Sequence, residues 1–267
     1  MVVAIVSDAG FGWIPGHDGK EVYSELVARI NEEILGNKVV RVILGGERHR
    51  SVGAFNIVGH NMPILRIADH LVFRGLNTLL KVSNVELVHV NICNPRYAYP
   101  VTKALKALKV ASVVGVHDWK YLCPSGFGVI LPEVVVEDKF IVRPRCMQCI
   151  ISREKALGNK MVRAIAQGLS GIVGTAVFQE LLKAAHVILT PSKVLAKVLE
   201  HYLNVPAFGV PNPVRPDLLN FKPDMNSNPK ALFIGRLSVE KGVHLIPGIA
   251  KRLGKDVKIN IAGGRPP

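Results

Sequence analysis

Two cations near the end of the sequence stand where a strand hands over to a helix. The run Ala231-Leu-Phe-Ile-Gly235 is short and apolar, Arg236 follows it, and Lys241-Gly242 opens a helical pattern five residues later. In an open α/β sheet, ligands bind at the carboxyl ends of the strands, and helix N-termini favour anions. An arginine and a lysine converging there suit a diphosphate, since each charge-assisted hydrogen bond is worth roughly 1.5–3 kcal/mol. The same pair also fits a solvated βα loop. A second candidate lies in Val113-Val-Gly-Val-His117-Asp118, where a β-branched run ends in an imidazole and a carboxylate. A strand-terminal His-Asp faces the ligand edge of a parallel sheet, and it also suits a sheet cap or a metal ligand. His89 and Asn91 end the preceding apolar run in the same way and read as lining residues. Gly16 and Gly19 bracket the loop before the first helix, with Asp18 between them, and allow close backbone approach to a diphosphate or an acceptor.

The four cysteines include Cys146-Met-Gln-Cys149, with Cys123 upstream and Cys93 farther back. Cys123, Cys146 and Cys149 could hold a structural zinc, with Cys93 or His117 as the fourth ligand. Buried free thiols or a redox pair are the alternatives.

These side chains need a scaffold, and the patterning supplies one. Short β-branched runs at 2–6, 39–44, 85–90, 110–116, 187–189 and 207–210 alternate with longer amphipathic stretches at 21–35, 62–82, 100–108 and 193–202. That alternation marks βα units and a parallel sheet buried on both faces. In the stretch 21–35, Val22, Leu26, Ile30 and Ile34 fall on one stripe at helical spacing. The expected fold class is therefore α/β, a Rossmann-like parallel sheet with flanking helices over residues 1–214. A Cys-containing insertion is expected at about 120–150 and a Pro/Asn/Asp-rich linker at 215–229. Residues 230–267 then read as the first βαβ unit of a second Rossmann-like domain.

Composition narrows the partners. The chain has 267 residues, 49% of them hydrophobic, so a packed core is expected. Its net charge of +14 points to acidic partners, whether nucleic acid, anionic lipid or phosphorylated substrates. Arg143, Arg145, Arg153, Lys155, Lys160 and Arg163 face Glu154 alone between positions 143 and 163. They run into the apolar stretch 161–182, which suits either a membrane interface or a core helix with a basic face. No aromatic-interleaved basic strand or reader motif points to nucleic acid. Met1-Val-Val-Ala-Ile-Val-Ser-Asp8 reads as a buried first strand and not a secretory signal, and the expected location is cytoplasmic.

The Gly-Arg…Lys-Gly pattern at 235–242 resembles the donor-phosphate loop of GT-B glycosyltransferases of the family 4 type. Five further stretches resemble that family in order. They are Pro15-Gly16-His17-Asp18-Gly19-Lys20-Glu21, Val85-Glu-Leu-Val-His89, the strand ending in His117, Ala184-Ala-His-Val-Ile-Leu-Thr-Pro191-Ser192, and Val210-Pro-Asn212-Pro-Val214. The resemblance implies a retaining transfer of a sugar from a UDP- or GDP-sugar to an acceptor glycan or lipid, needing no metal for catalysis. It implies that His117 holds the donor sugar, that Arg236 and Lys241 bind the diphosphate with Gly235 and Gly19, and that Ser192 and Asn212 line the site or shape its turns. A subset of the family shows a similar His-Asp…Cys-Pro…C-x-x-C arrangement around Cys123. Two departures stand out: His17-Asp18 interrupt the usual glycine pair, and the family's paired-glutamate donor element has no counterpart in these residues. The expectation is that the 267 residues alone transfer weakly or not at all, and that a longer chain or a completing chain supplies the rest. The alternatives are a non-catalytic binding module that pairs with a partner, peripheral attachment to the inner membrane face being compatible with either, and a basic nucleic-acid binder.

Overall fold

The computed structural model describes residues 1–12, 19–45, 54–57, 65–124, 144–156, 161–214, 219, 230–235, 237–238, 241–254 and 257–264. Residues 1–215 form one compact unit and 216–267 a second. The first unit is a seven-stranded, all-parallel sheet in the order β3-β2-β1-β4-β5-β6-β7. Its strands are β1 (Val2–Ser7), β2 (Lys38–Leu44), β3 (Ala54–Ile57), β4 (Leu87–Asn91), β5 (Ala111–Gly115), β6 (Val187–Thr190) and β7 (Ala207–Gly209). Helices α1 (Gly19–Arg29), α2 (Leu65–Val82), α3 (Pro95–Leu108), α4 (Pro144–Ala156), α5 (Met161–Ala184) and α6 (Lys193–Leu203) flank it.

Strand β1 shows why the sheet is sandwiched. Ala4 and Val6 belong to the main core cluster, with Leu76 of α2, Val101 of α3 and Leu182 of α5. Val3 and Ile5 point the other way, into a smaller cluster with Ala28 of α1 and Ile43 of β2. Successive strand residues face opposite sides, so a continuous apolar run requires two covered faces. The α/β fold class expected from the sequence is the one observed.

Differences from the sequence reading have local causes. The first helix continues as a π-helical turn (Ile30–Ile34), in which the Leu35 amide reaches back to the Ile30 carbonyl at 3.1 Å. That wider turn breaks the helical spacing and leaves Ile34 exposed, outside the predicted stripe. Arg41 of β2 fastens the turn by a bidentate pair to Glu32, 2.7 Å on each arm. Edge strand β3 escapes the periodicity reading because Phe55 and Asn56 both stay exposed. The C-x-x-C lies in the first turns of α4, which the sequence reading left inside an insertion; residues 125–143, with the expected hairpin, lie outside the described residues.

Capping residues set the helix ends beneath the sheet's carboxyl edge. Asn94 accepts from the Arg96 amide to open α3, and Ser192 accepts from the Leu195 amide at 3.2 Å to open α6. Gly209 of β7 lies so close to α6 that a β-carbon there would sit 2.6 Å from the Lys193 Cα. Helix α5 is split in character. Its C-terminal half buries Phe178, Leu181 and Leu182, while Val162, Ile165, Leu169 and Val173 are exposed.

The second unit contains β8 (Lys230–Ile234), α7 (Ile246–Leu253) and β9 (Lys258–Ala262), with β8 and β9 paired in parallel. None of its described residues is buried, and Leu232, Ile234 and Ile261 are all exposed.

This contrast sets a stability test. Leu199→Ala in α6, fully buried, is expected to cost about 2–5 kcal/mol through lost burial and a cavity. Leu232→Ala in β8 is expected to stay within about 0.5 kcal/mol of the unmodified chain. Urea unfolding of both variants, followed by circular dichroism, checks the pair.

Candidate functional site

The strand order reverses at β1, which pairs with β2 on one side and β4 on the other. Crossovers leave that point toward opposite faces, so the carboxyl ends of β1 and β4 open a crevice. A polar chain fills its floor. Asn91, at the end of β4, donates to the Ser24 hydroxyl of α1 at 2.6 Å, and Ser24 lies 3.3 Å from the Ser7 hydroxyl of β1. Asn91, Ser24 and Ser7 are all buried, so these bonds hold α1 to the switch point.

Asp8 follows β1 directly. Its carboxylate accepts the Cys93 amide at 2.9 Å and the Asn94 amide at 2.6 Å, fixing the start of α3. Burial raises the Asp8 carboxyl above its usual range, against the lowering effect of those amides and of Lys20. For Lys20 burial lowers the ammonium, but the Cys93 sulfur, Asp118 and Asp8 outweigh it and leave it raised, a fixed cation beside the strand ends. Burial also pushes the Cys93 thiol up, so it is not an activated nucleophile.

Three polar side chains gather where β5 ends in Gly115. A β-carbon on Gly115 would lie 3.3 Å from His117 Nε2, 3.5 Å from His89 Nε2 and 3.7 Å from Asn91 Oδ1. The absent side chain leaves room for the two imidazoles. Tyr23 of α1 stands edge-on to His117 with ring centroids 4.3 Å apart, and its hydroxyl is 3.5 Å from His89 Nε2. Burial drives His89 down to about 4, with His117 adding to the effect. His117 is lowered by burial and then by Lys20, with Asp118 opposing. Both rings are therefore neutral near pH 7, each with one donor and one acceptor nitrogen. The Tyr121 hydroxyl, donating to the Ile92 carbonyl, secures the turn after His117.

A cavity of 380 Å³ opens beside these rings. Tyr23, Val27, Ile30 and Asn31 wall it from α1 and its π-helical turn. His89, His117, Leu189 and Thr190 wall it from the strand ends, and Val210 and Asn212 from the segment after β7. His117 Nε2 and Thr190 Oγ1 are buried without a hydrogen-bond partner among the described residues. An unpaired buried polar atom costs about 1–3 kcal/mol.

The structure thus brings together His117, His89 and Asn212 at the cavity, with Asn91 behind them. Asp118 lies outside it, accepting the Lys120 amide at 2.9 Å, and Ser192 is the α6 cap. Gly19 begins α1 with open space around it. Gly16, Asp18 and Arg236 lie outside the described residues. In the second unit Gly235 follows β8 at φ 153°, packed against Gly263, and Lys241 is exposed in the turn before α7. The zinc expectation is corrected: among the described residues no group of three His, Cys, Asp or Glu could hold a metal ion. Cys146 and Cys149 ride on α4 while Cys123 is buried after β5, so their spacing in sequence does not make a cluster. Sequence reasoning missed Asp8, Ser24, Tyr23 and Thr190. Asp8 and Thr190 carried a usable signal, since each lies at a strand's carboxyl end.

No family model matches the sequence, and no curated protein matches it. Solved structures do match in fold. A lipopolysaccharide outer core galactosyltransferase, WaaB in its apo form, superposes with a TM-score of 0.56 at 13% identity, covering 99% of this chain and 61% of that one. A UGT transferase from Siraitia grosvenorii in complex with UDP gives 0.51 at 9% identity, over 100% of this chain and 66% of its own. Phytolacca americana UGT2, complexed with UDP-2fluoro-glucose and pterostilbene, gives 0.51 at 10% identity, over 98% and 71%. This chain thus spans about three fifths to seven tenths of the length of these structures. At these identities the likeness is one of fold, the α/β architecture of GT-B glycosyltransferases.

The buried imidazoles predict a pH signature. A histidine whose folded value lies below the usual 6.5 leaves the unfolded chain the better proton acceptor at lower pH. Stability is therefore expected to fall as pH drops from about 6.5 toward 4, the range set by His89. His89→Gln is expected to flatten that slope, as read from urea midpoints across the pH range.

Proposed function

We propose that the chain acts in a retaining glycosyltransferase of the family 4 type, moving a sugar from a nucleotide donor to an acceptor hydroxyl. The observation that carries the reading is the pair of buried, neutral imidazoles at the carboxyl edge of a GT-B-like sheet, beside an open cavity. Neutral His117 can hold a sugar hydroxyl by donating or accepting without adding a charge at the reacting centre. In the transfer, the bond from the anomeric carbon to the phosphate oxygen breaks and one to the acceptor oxygen forms on the same face. The acceptor's proton passes to the departing phosphate. Arg236 and Lys241 are assigned to that diphosphate from their sequence positions after β8, where preorganised positive charge would stabilise the leaving group. A UDP- or GDP-sugar is the proposed donor. Two of the fold neighbours were solved with UDP or a UDP-sugar analogue, which favours the first.

The assay is transfer or hydrolysis of radiolabelled UDP- and GDP-sugars by the 267-residue chain, alone and as part of a longer chain that contains it. His117→Ala is expected to lower the rate by about 10²–10³, the usual effect of losing one stabilising group at a reacting centre. A rate unchanged in that variant would remove His117 from the mechanism. A second reading, a binding module that pairs with another chain, draws on the exposed apolar residues of β8 and β9. Robust turnover by the chain alone would exclude it.

Residence at the cytoplasmic face of an anionic membrane is part of the proposal. Helix α5 is long and apolar enough to cross a membrane by length and composition, but its buried C-terminal half packs in the core. The exposed stripe Val162, Ile165, Leu169 and Val173 follows a basic sequence segment, a pairing suited to lying in a lipid interface. Co-sedimentation with phosphatidylglycerol vesicles is expected to exceed that with phosphatidylcholine vesicles, and Leu169→Glu is expected to abolish it. Equal binding to both vesicles would count against a charged surface.

A further inference from the structure

The cavity beside His117 has a chemical character at odds with the chain around it. The protein carries 34 Lys and Arg and 20 Asp and Glu, yet among the described residues none that lines this cavity is charged. Its wall is aliphatic along Val27, Ile30, Leu189 and Val210, with prolines closing the segment after β7. The polar groups offered are neutral ones, the two imidazoles, the Tyr23 hydroxyl, the amides of Asn31 and Asn212, and Thr190. We infer that this cavity takes an uncharged, mainly apolar small-molecule moiety that presents a hydroxyl toward His117, and does not seat a phosphate group. The inference rests on the glycosyl-transfer reading only in calling that moiety the acceptor.

Three observations argue for it. A phosphate placed here would lose its water and meet no counter-charge among the described lining residues, which is costly, whereas an aliphatic or aromatic body gains from burial. Lys20, the cation beside His117, is already engaged by the Cys93 sulfur, Asp118 and Asp8. A volume of 380 Å³ lies within the range of small-molecule sites, and such sites combine an apolar wall with a few placed polar groups. The unpartnered Thr190 Oγ1 and His117 Nε2 belong to two of those wall residues.

The test needs neither donor nor turnover, so its failure is separable from failure of the transferase reading. The 267-residue chain, with its histidine rings isotopically labelled, is titrated with hexyl glucoside below its micelle concentration and, separately, with hexyl phosphate. The nuclear magnetic resonance signals of His89 and His117, assigned by single substitutions, are expected to move saturably with the glucoside. Binding of hexyl phosphate is expected to be weaker by about tenfold or more, because the anion is desolvated without compensation. Val210→Trp, at a half-exposed wall position, fills the cavity and is expected to abolish the glucoside shifts while circular dichroism stays unchanged. Hexyl phosphate binding as tightly as the glucoside, glucoside shifts that persist in Val210→Trp, or no shift with either probe would each overturn the inference.

Discussion

Strand β1 is hydrogen-bonded to β2 through the register Val3 to Val39 and to β4 through Val3 to Leu87. Because the chain departs from β1 toward one face and from β4 toward the other, no helix among the described residues covers the carboxyl ends between them. The candidate site residues of the first unit gather along the carboxyl edge of the sheet, from β1 and β4 to the segment after β7. Asp8, Ser24 and Asn91 hold its two sides together with hydrogen bonds that water would otherwise supply. Removing the parallel pairing would leave no place where a loop from β5, a helix face from α1 and the segment after β7 all meet.

The electrostatics of that edge divide sharply over a short distance. On the Asp8 side, the Lys20 ammonium sits among the Asp8 and Asp118 carboxylates and the Cys93 sulfur. On the cavity side, burial and the proximity of Lys20 keep His117 neutral, and burial with His117 does the same for His89. The two sides are coupled, since protonating His117 would place a second cation near Lys20. The protein is strongly basic, yet the described residues lining the cavity are all uncharged.

The two units differ in what stabilises them. In the first, both faces of the sheet are covered, and α5 contributes Phe178, Leu181 and Leu182 to the core from its C-terminal half. In the second, β8 and β9 pair in register but expose Leu232, Ile234 and Ile261. Parallel sheets are ordinarily covered on both faces, so the pair's own hydrogen bonds supply only part of what such a unit requires.

Alternating β-branched runs and amphipathic stretches made the α/β sheet legible without coordinates, because periods of two and 3.6 are properties of the local chain. The same logic put His89, Asn91 and His117 toward the carboxyl edge of the sheet, where ligands of such sheets bind. It failed at the π-helical turn, where one wider loop of backbone turned Ile34 outward, and at β3, whose edge position left no buried stripe to detect. It failed for the cysteines as well, since C-x-x-C spacing describes neighbours in sequence and a metal needs neighbours in space. What the sequence determined by itself was the alternation of strands and helices through most of the first unit, since those periods are set within a few bonds. Only tertiary packing decided that Tyr23 of α1 would meet His117 of the β5 loop, that Gly115 would leave space for two imidazoles, and that both would lose their charge. Contact between distant segments and exclusion of water are collective outcomes of burial, and no single stretch of chain encodes them.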